Sequence, residues 1–141
     1  MQPDLRAGRF VFVSVPTMVD GVHPLAWVRE DEGTTLILEQ PEADGLGLSY
    51  DFVAAMITLR VHSSLDAVGL TAAVSGALAD AGISANMVAG YYHDHLFVPV
   101  EAGERAVRLL ESLSGTVVTG TPAAAGRRSE DRAGLSPSAS E

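Results

Sequence analysis

His62-Ser63-Ser64-Leu65-Asp66-Ala67-Val68-Gly69-Leu70-Thr71 joins two stretches of different period. Before it, Ile57, Leu59 and Val61 alternate with Thr58 and Arg60, the period of a strand with one apolar and one more polar face. After it, Leu70, Ala73, Val74, Ala77, Leu78 and Ala81 recur at helical spacing, and Gly82 supplies a left-handed stop. The spacing predicts a strand over 56–61 and a helix over 68–81. The joint then holds two hydroxyls, a cluster of backbone N–H groups and a glycine at the positive end of a helix dipole. A small anion such as an amino-acid carboxylate suits that setting.

Downstream, Ile83 to Ala89 reads as a second strand, Gly90-Tyr91-Tyr92-His93-Asp94 as a turn and His95 to Val100 as a third strand. Ala102, Ala106, Leu109, Leu110 and Leu113 line one face of a second helix, with Glu104 and Arg108 paired on its outside. Thr116 to Thr119 adds a short final strand. Residues 54–119 therefore spell β-α-β-β-α-β, an α+β, ferredoxin-like arrangement with both helices on one face of an antiparallel sheet. Upstream, Arg9 to Val15 is apolar on both faces, as a central strand is. Ala26 to Glu30 and Thr34 to Glu39 flank Glu30-Asp31-Glu32-Gly33, a hairpin with glycine where the turn needs positive φ. Pro41 to Gly47 makes a short helix opened by proline. Residues 1–53 form a partial, β-rich half of the same order. Residues 120–141 fall to Ala, Gly, Ser, Pro and Arg, too little apolar surface to offset ordering entropy, and are expected to be a disordered tail.

Composition narrows the function. The chain has no cysteine, which removes thiol chemistry and thiolate metal sites and fits a reducing, cytoplasmic setting. A net charge of −9 with no basic stripe disfavours nucleic acid. No apolar run reaches the roughly 20 residues that span a bilayer, so no membrane role is expected. No nucleophile elbow, phosphate-binding loop or dinucleotide fingerprint is present, so neither catalysis nor a cofactor is expected.

Asp66-x-x-Gly69-Leu70, following a strand and opening a helix, resembles the signature of ACT domains. Gly82-Ile83-Ser84-Ala85-Asn86 resembles that family's entry to its second strand. The segments Ile57 to Leu65 and Ala89 to Pro99 are similar to those of a group of small bacterial ACT-domain proteins with two ACT-like halves and no catalytic domain. The resemblance covers about Arg9 to Leu113 and is denser in the second half. It implies regulation by a small molecule, an amino acid, bound where the first strand meets the first helix. Carried over, it marks Ser63, Ser64, Leu65, Asp66, Val68, Gly69 and Leu70, with Asn86, Met87 and Val88 on the adjacent strand. It implies no enzyme activity.

Each of these residues has a second reading. Ser63-x-x-Asp66 is also a capping box, and glycine in a helix's first turn costs up to about 1 kcal/mol against alanine, so close approach of a ligand or backbone should require Gly69. His93, Asp94 and His95 carry the alternative function, a metal-binding protein or metal-dependent enzyme, but a full site needs a further ligand such as His62 or His23. The same three residues serve turn geometry, or line the ligand site as secondary contacts. Tyr91, Tyr92 and Trp27 read as core or interface packing. The all-apolar strand from Phe10 to Val15 needs cover from the other half or from a second copy, and a homodimer or higher homo-oligomer is expected.

Overall fold

In the computed structural model, residues 1–60 and 68–116 are described. They form an antiparallel sheet of seven strands with three helices on one face. The strands are β1 (Gln2–Leu5), β2 (Phe10–Val15), β3 (Ala26–Glu30), β4 (Gly33–Glu39), β5 (Val53–Arg60), β6 (Asn86–Ala89) and β7 (Asp94–Pro99). The helices are α1 (Gln40–Gly45), α2 (Leu70–Asp80) and α3 (Gly103–Thr116), the last entered through a 3₁₀ turn at Val100–Ala102. The strand order is β3-β4-β2-β5-β7-β6, with β1 also on β5.

This order contains two interlocked ferredoxin-like units. A βαββαβ unit places its strands as second, third, first, fourth. In the first half β3, β4, β2 and β5 take those places; in the second half β6, β7, β5 and β1 do. Strand β5 thus serves both units. Its early residues pair with β2, Phe10 opposite Ala54 and Val11 opposite Val53. Its later residues pair with β1, from Gln2 opposite Arg60 to Leu5 opposite Ile57. The α+β, ferredoxin-like fold expected from the sequence is the fold observed.

Partners across antiparallel strands share a face, so the registers sort the core into layers. On the helix face, Ala55, Ile57 and Leu59 of β5 and Leu96 and Val98 of β7 pack under Val74 and Leu78 of α2 and Ala106 and Leu110 of α3. On the same face of the first unit, Val11, Val13, Val15, Leu36 and Leu38 pack with Ala43 of α1. On the opposite face Phe10, Ile37, Ala54, Met56 and Phe97 form a third cluster drawn from both units. The small Ala54 leaves room for Phe10 and Phe97 to meet edge to face, centroids 6.1 Å apart, and Phe12 meets Phe97 at 5.3 Å. One face of β2 is thus packed by α1 and its own half, and on the other Phe10 and Phe12 meet Phe97 of the second half.

Several boundaries differ from the sequence reading. Strand β1 precedes the first expected strand and fills the place beside β5 that Thr116–Thr119 was expected to take. Thr116 is the last turn of α3, and 117–119 lie outside the described residues, as does the tail. Helix α2 begins two residues later than its periodicity suggests. The second strand starts at Asn86 rather than Ile83, because Ile83 is used to end α2. Gly82, at φ 68°, lets its own N–H reach the Ala79 carbonyl and the Ile83 N–H reach that of Leu78. Ile83 is then buried against Leu78, the apolar contact that completes such a helix end.

Candidate functional site

The loop that carries most of the sequence-predicted site, with Ser63, Ser64, Leu65 and Asp66, lies outside the described residues. Its exit is described. Gly69 is the N-cap of α2, with φ 102° and ψ −22°, and its carbonyl accepts the first helical bond from Ala73 N–H at 3.0 Å. A Cβ at Gly69 would meet no described atom within 4 Å. Among the described residues the left-handed backbone accounts for the glycine, and none of them approaches it closely. The N-cap is Gly69 and, among the described residues, no side chain bonds the first-turn N–H groups from Leu70 onward; Ser63 and Asp66 of the expected capping box lie outside the described residues. Val68 is 98% exposed, whereas Leu70 packs onto the core.

The three β6 residues separate. Met87 joins the helix-face core, Val88 joins the opposite cluster, and Asn86 is exposed. Registers place Leu59, Asp94 and Ala89 in one row and Met56, Phe97 and Asn86 in another. The chain leaves β5 beside the first row, so Ala89 and Asp94 border the strand exit, and Asn86 sits about 10 Å further along. Tyr91 and Tyr92, at the β6–β7 turn, are exposed and stack edge to face on each other, 4.9 Å between centroids. Gly90 is required there, since a Cβ would lie 2.6 Å from the His93 carbonyl oxygen that its own N–H bonds.

His95 lies on the face away from the helices, where its Nδ1 is 3.1 Å from Thr58 Oγ1. Burial, and then the charge of His93, hold its imidazole below the usual range; Asp94 pulls the other way and Arg6 adds to the depression. His93 Nδ1 is buried without a described partner. On the same face Asp4 is paired with Arg60 at 2.9 Å and Arg6 at 3.7 Å, and the Arg60 hydrogen bond keeps its carboxyl below the ordinary value. Among the described residues no three His, Asp or Glu side chains converge on a metal-sized space. His23 is 3.8 Å from Glu42 in the first unit. The metal alternative finds no support here, and no described helix is long and apolar enough to cross a membrane.

Sequence reasoning missed a cleft in the first unit. There a loop, not a helix, joins β2 to β3, and the helix face of the sheet is left partly open. The cleft measures about 620 Å³ and is lined by Pro16, Thr17 and Met18 of the loop, Trp27 and Arg29 of β3 and the 30–34 hairpin. Gly33 is part of its wall, and a Cβ there would lie 2.6 Å from the Val15 carbonyl oxygen. The available signal was the lack of a helical period between Pro16 and Leu25, beside a strand containing tryptophan.

Residues 1–55 and 52–112 each match a family profile described as an ACT domain. A protein of unknown function from Vibrio cholerae, described as a possible transport protein, is 48% identical over 77% of this chain and 86% of its own, with a TM-score of 0.74. An Agrobacterium tumefaciens protein is 17% identical with a TM-score of 0.66, covering 79% of this chain and 87% of its own. The regulatory subunit of aspartate kinase from Thermus flavus is 11% identical with a TM-score of 0.57, covering 79% of this chain and 96% of its own. These last two share the fold. No curated protein matches the chain.

Proposed function

This chain belongs to the ACT-domain family, with one ACT unit in each half, and on that premise we propose that it is a cytoplasmic regulatory protein that binds an amino acid and carries out no chemistry itself. The observation that supports this reading is the start of α2: a glycine N-cap in the left-handed region, no described side-chain cap, and a surface-exposed approach through Val68. First-turn amides without a described side-chain partner, at the positive end of a helix, suit a carboxylate. Ser63, Ser64, Leu65 and Asp66 would supply the rest of the cradle, with Asp66 or a nearby carbonyl taking the ammonium group. Ala89 and Asp94 border the same strand exit by register. A homodimer or higher homo-oligomer would let ligand shift an equilibrium between assemblies.

A thermal-shift screen of the twenty amino acids tests this. One of them at a hundredfold above its Kd should stabilise the protein by about 2.7 kcal/mol, and Gly69→Leu should abolish that response. No shift with any amino acid would overturn the reading.

A further inference from the structure

The back of the sheet, away from the helices, gathers positive charge that the regulatory reading does not use. Registers set Asp4 of β1, Thr58 of β5 and His95 of β7 in one row across it. Arg60 follows Thr58 by two residues along β5 and so shares that face. Arg6 reaches it by another route. Leu5 is opposite Ile57 and Phe10 is opposite Ala54, so Arg6, Ala7, Gly8 and Arg9 together span only Ala55 and Met56 of β5. A bulge of this kind turns side chains out of the regular alternation. The Arg6 N–H is anchored on the Met56 carbonyl at 2.8 Å, and its guanidinium lies 3.7 Å from Asp4.

Arg6 and Arg60 approach the same oxygen of Asp4, Oδ2, and each side chain stays about half exposed, at 51% and 50%. One carboxylate oxygen cannot use the donors of two guanidiniums, so it aligns them and leaves N–H groups of both facing solvent. In the same patch Thr58 Oγ1 is 3.1 Å from His95 Nδ1, and His95 Nε2 lies beside Gly90. The charges acting on His95 are those of His93, Asp94 and Arg6. Asp94 pairs with Leu59 and so belongs to the helix face. Beside Arg6 a notch of about 410 Å³ is lined by Phe10, Met56 and Leu25, with Asp4 and Glu39 as its acids.

We propose that Arg6 and Arg60 together bind the phosphate group of a small phosphomonoester whose organic part is uncharged and lies in the notch. Two aligned guanidiniums match the oxygens of a tetrahedral dianion. The apolar lining takes the organic part, and Asp4 and Glu39 repel a second anionic group there. His95 acts through charge alone: a dianion beside Arg6 favours the protonated imidazole. Binding and proton uptake therefore reinforce each other. The site is on the face of the sheet away from α2, so it stands or falls separately from amino-acid binding.

The test titrates the full chain with glycerol phosphate, phosphoglycerate, inorganic phosphate and sulfate at constant ionic strength, following backbone amide and imidazole resonances. Glycerol phosphate should saturate, with the largest changes at Arg6, Ala7 and Arg60 and none at Gly69. Inorganic phosphate should bind the same residues more weakly, and so should phosphoglycerate. Arg6→Gln and Arg60→Gln should each weaken binding by about tenfold or more. Asp4→Asn, which removes a like charge, should strengthen it, an effect that misfolding cannot imitate. Sulfate stays a dianion as pH falls from about 7 to about 5.5, so tighter sulfate binding over that range reports proton uptake by the protein, and His95→Gln should reduce it. No saturable change at Arg6 and Arg60, or R6Q and R60Q variants that bind as tightly as the wild type, would overturn the proposal. Glycerol phosphate binding no tighter than inorganic phosphate would overturn the role given to the notch.

Discussion

At the residue scale, Gly69 and His95 carry the most specific expectations. Gly69 holds a backbone conformation that L residues resist, with no described atom near the place of a Cβ. Gly69→Val should therefore cost about 1–3 kcal/mol from backbone strain alone, read by chemical denaturation without ligand. His95 is held below its ordinary value of 6.5 in the folded state, by burial first and by His93 and Arg6 after it. The unfolded chain takes up that proton first as pH falls. The stability this histidine contributes is therefore complete above pH 6.5 and is lost on acidification below it. His95→Gln, which keeps a hydrogen-bonding partner for Thr58, should flatten the stability profile between pH 7 and 5. An unchanged slope in the variant would remove His95 as its source.

At the element scale, the sequence was legible wherever one residue type answers one geometric demand. Gly82 at φ 68°, Gly33 against the Val15 carbonyl and Pro41 in the first turn of α1 each mark an element end. The alternation of β5 and the stripes of α2 and α3 gave the order of elements in the second unit. Strand β1 was not legible, because Gln2-Pro3-Asp4-Leu5 is short, has no β-branched or aromatic residue and contains a proline, which argues against a strand. Its strand character comes from β5, through four paired residues and the Asp4–Arg60 ion pair. Removing residues 2–5 should strip this ladder, expose Ile57 and Leu59 at the edge and destabilise the protein by several kcal/mol, about 1 kcal/mol per lost hydrogen bond plus lost packing. A thermal midpoint within a degree of the full chain would show the strand to be dispensable. The strand-to-helix joint was legible for the same kind of reason, since it announces itself by its change of period, whereas which end of β6 lies level with the end of β5 depends on a register that no local pattern encodes.

For the whole molecule, sharing β5 has a thermodynamic consequence. Neither unit can lose its strands without unpairing an edge of the other, and Phe10, Ala54, Met56 and Phe97 form one cluster across both. Unfolding should therefore be a single transition. Trp27, the chain's only tryptophan, reports on the first unit, and far-ultraviolet dichroism reports on the helices, most of which lie in the second. The two curves should coincide in urea; separated midpoints would mean that the units fold independently. Phe97→Ala, at the centre of the shared cluster, should shift both curves together by about 3–5 kcal/mol.

The most direct measurement on the regulatory reading is a titration of backbone amide resonances with each of the twenty amino acids. One of them should saturate at a single site, with the largest changes at Gly69, Leu70 and Thr71 and in the loop before them. A full set of spectra in which those amides never move, whichever amino acid is added, would contradict it.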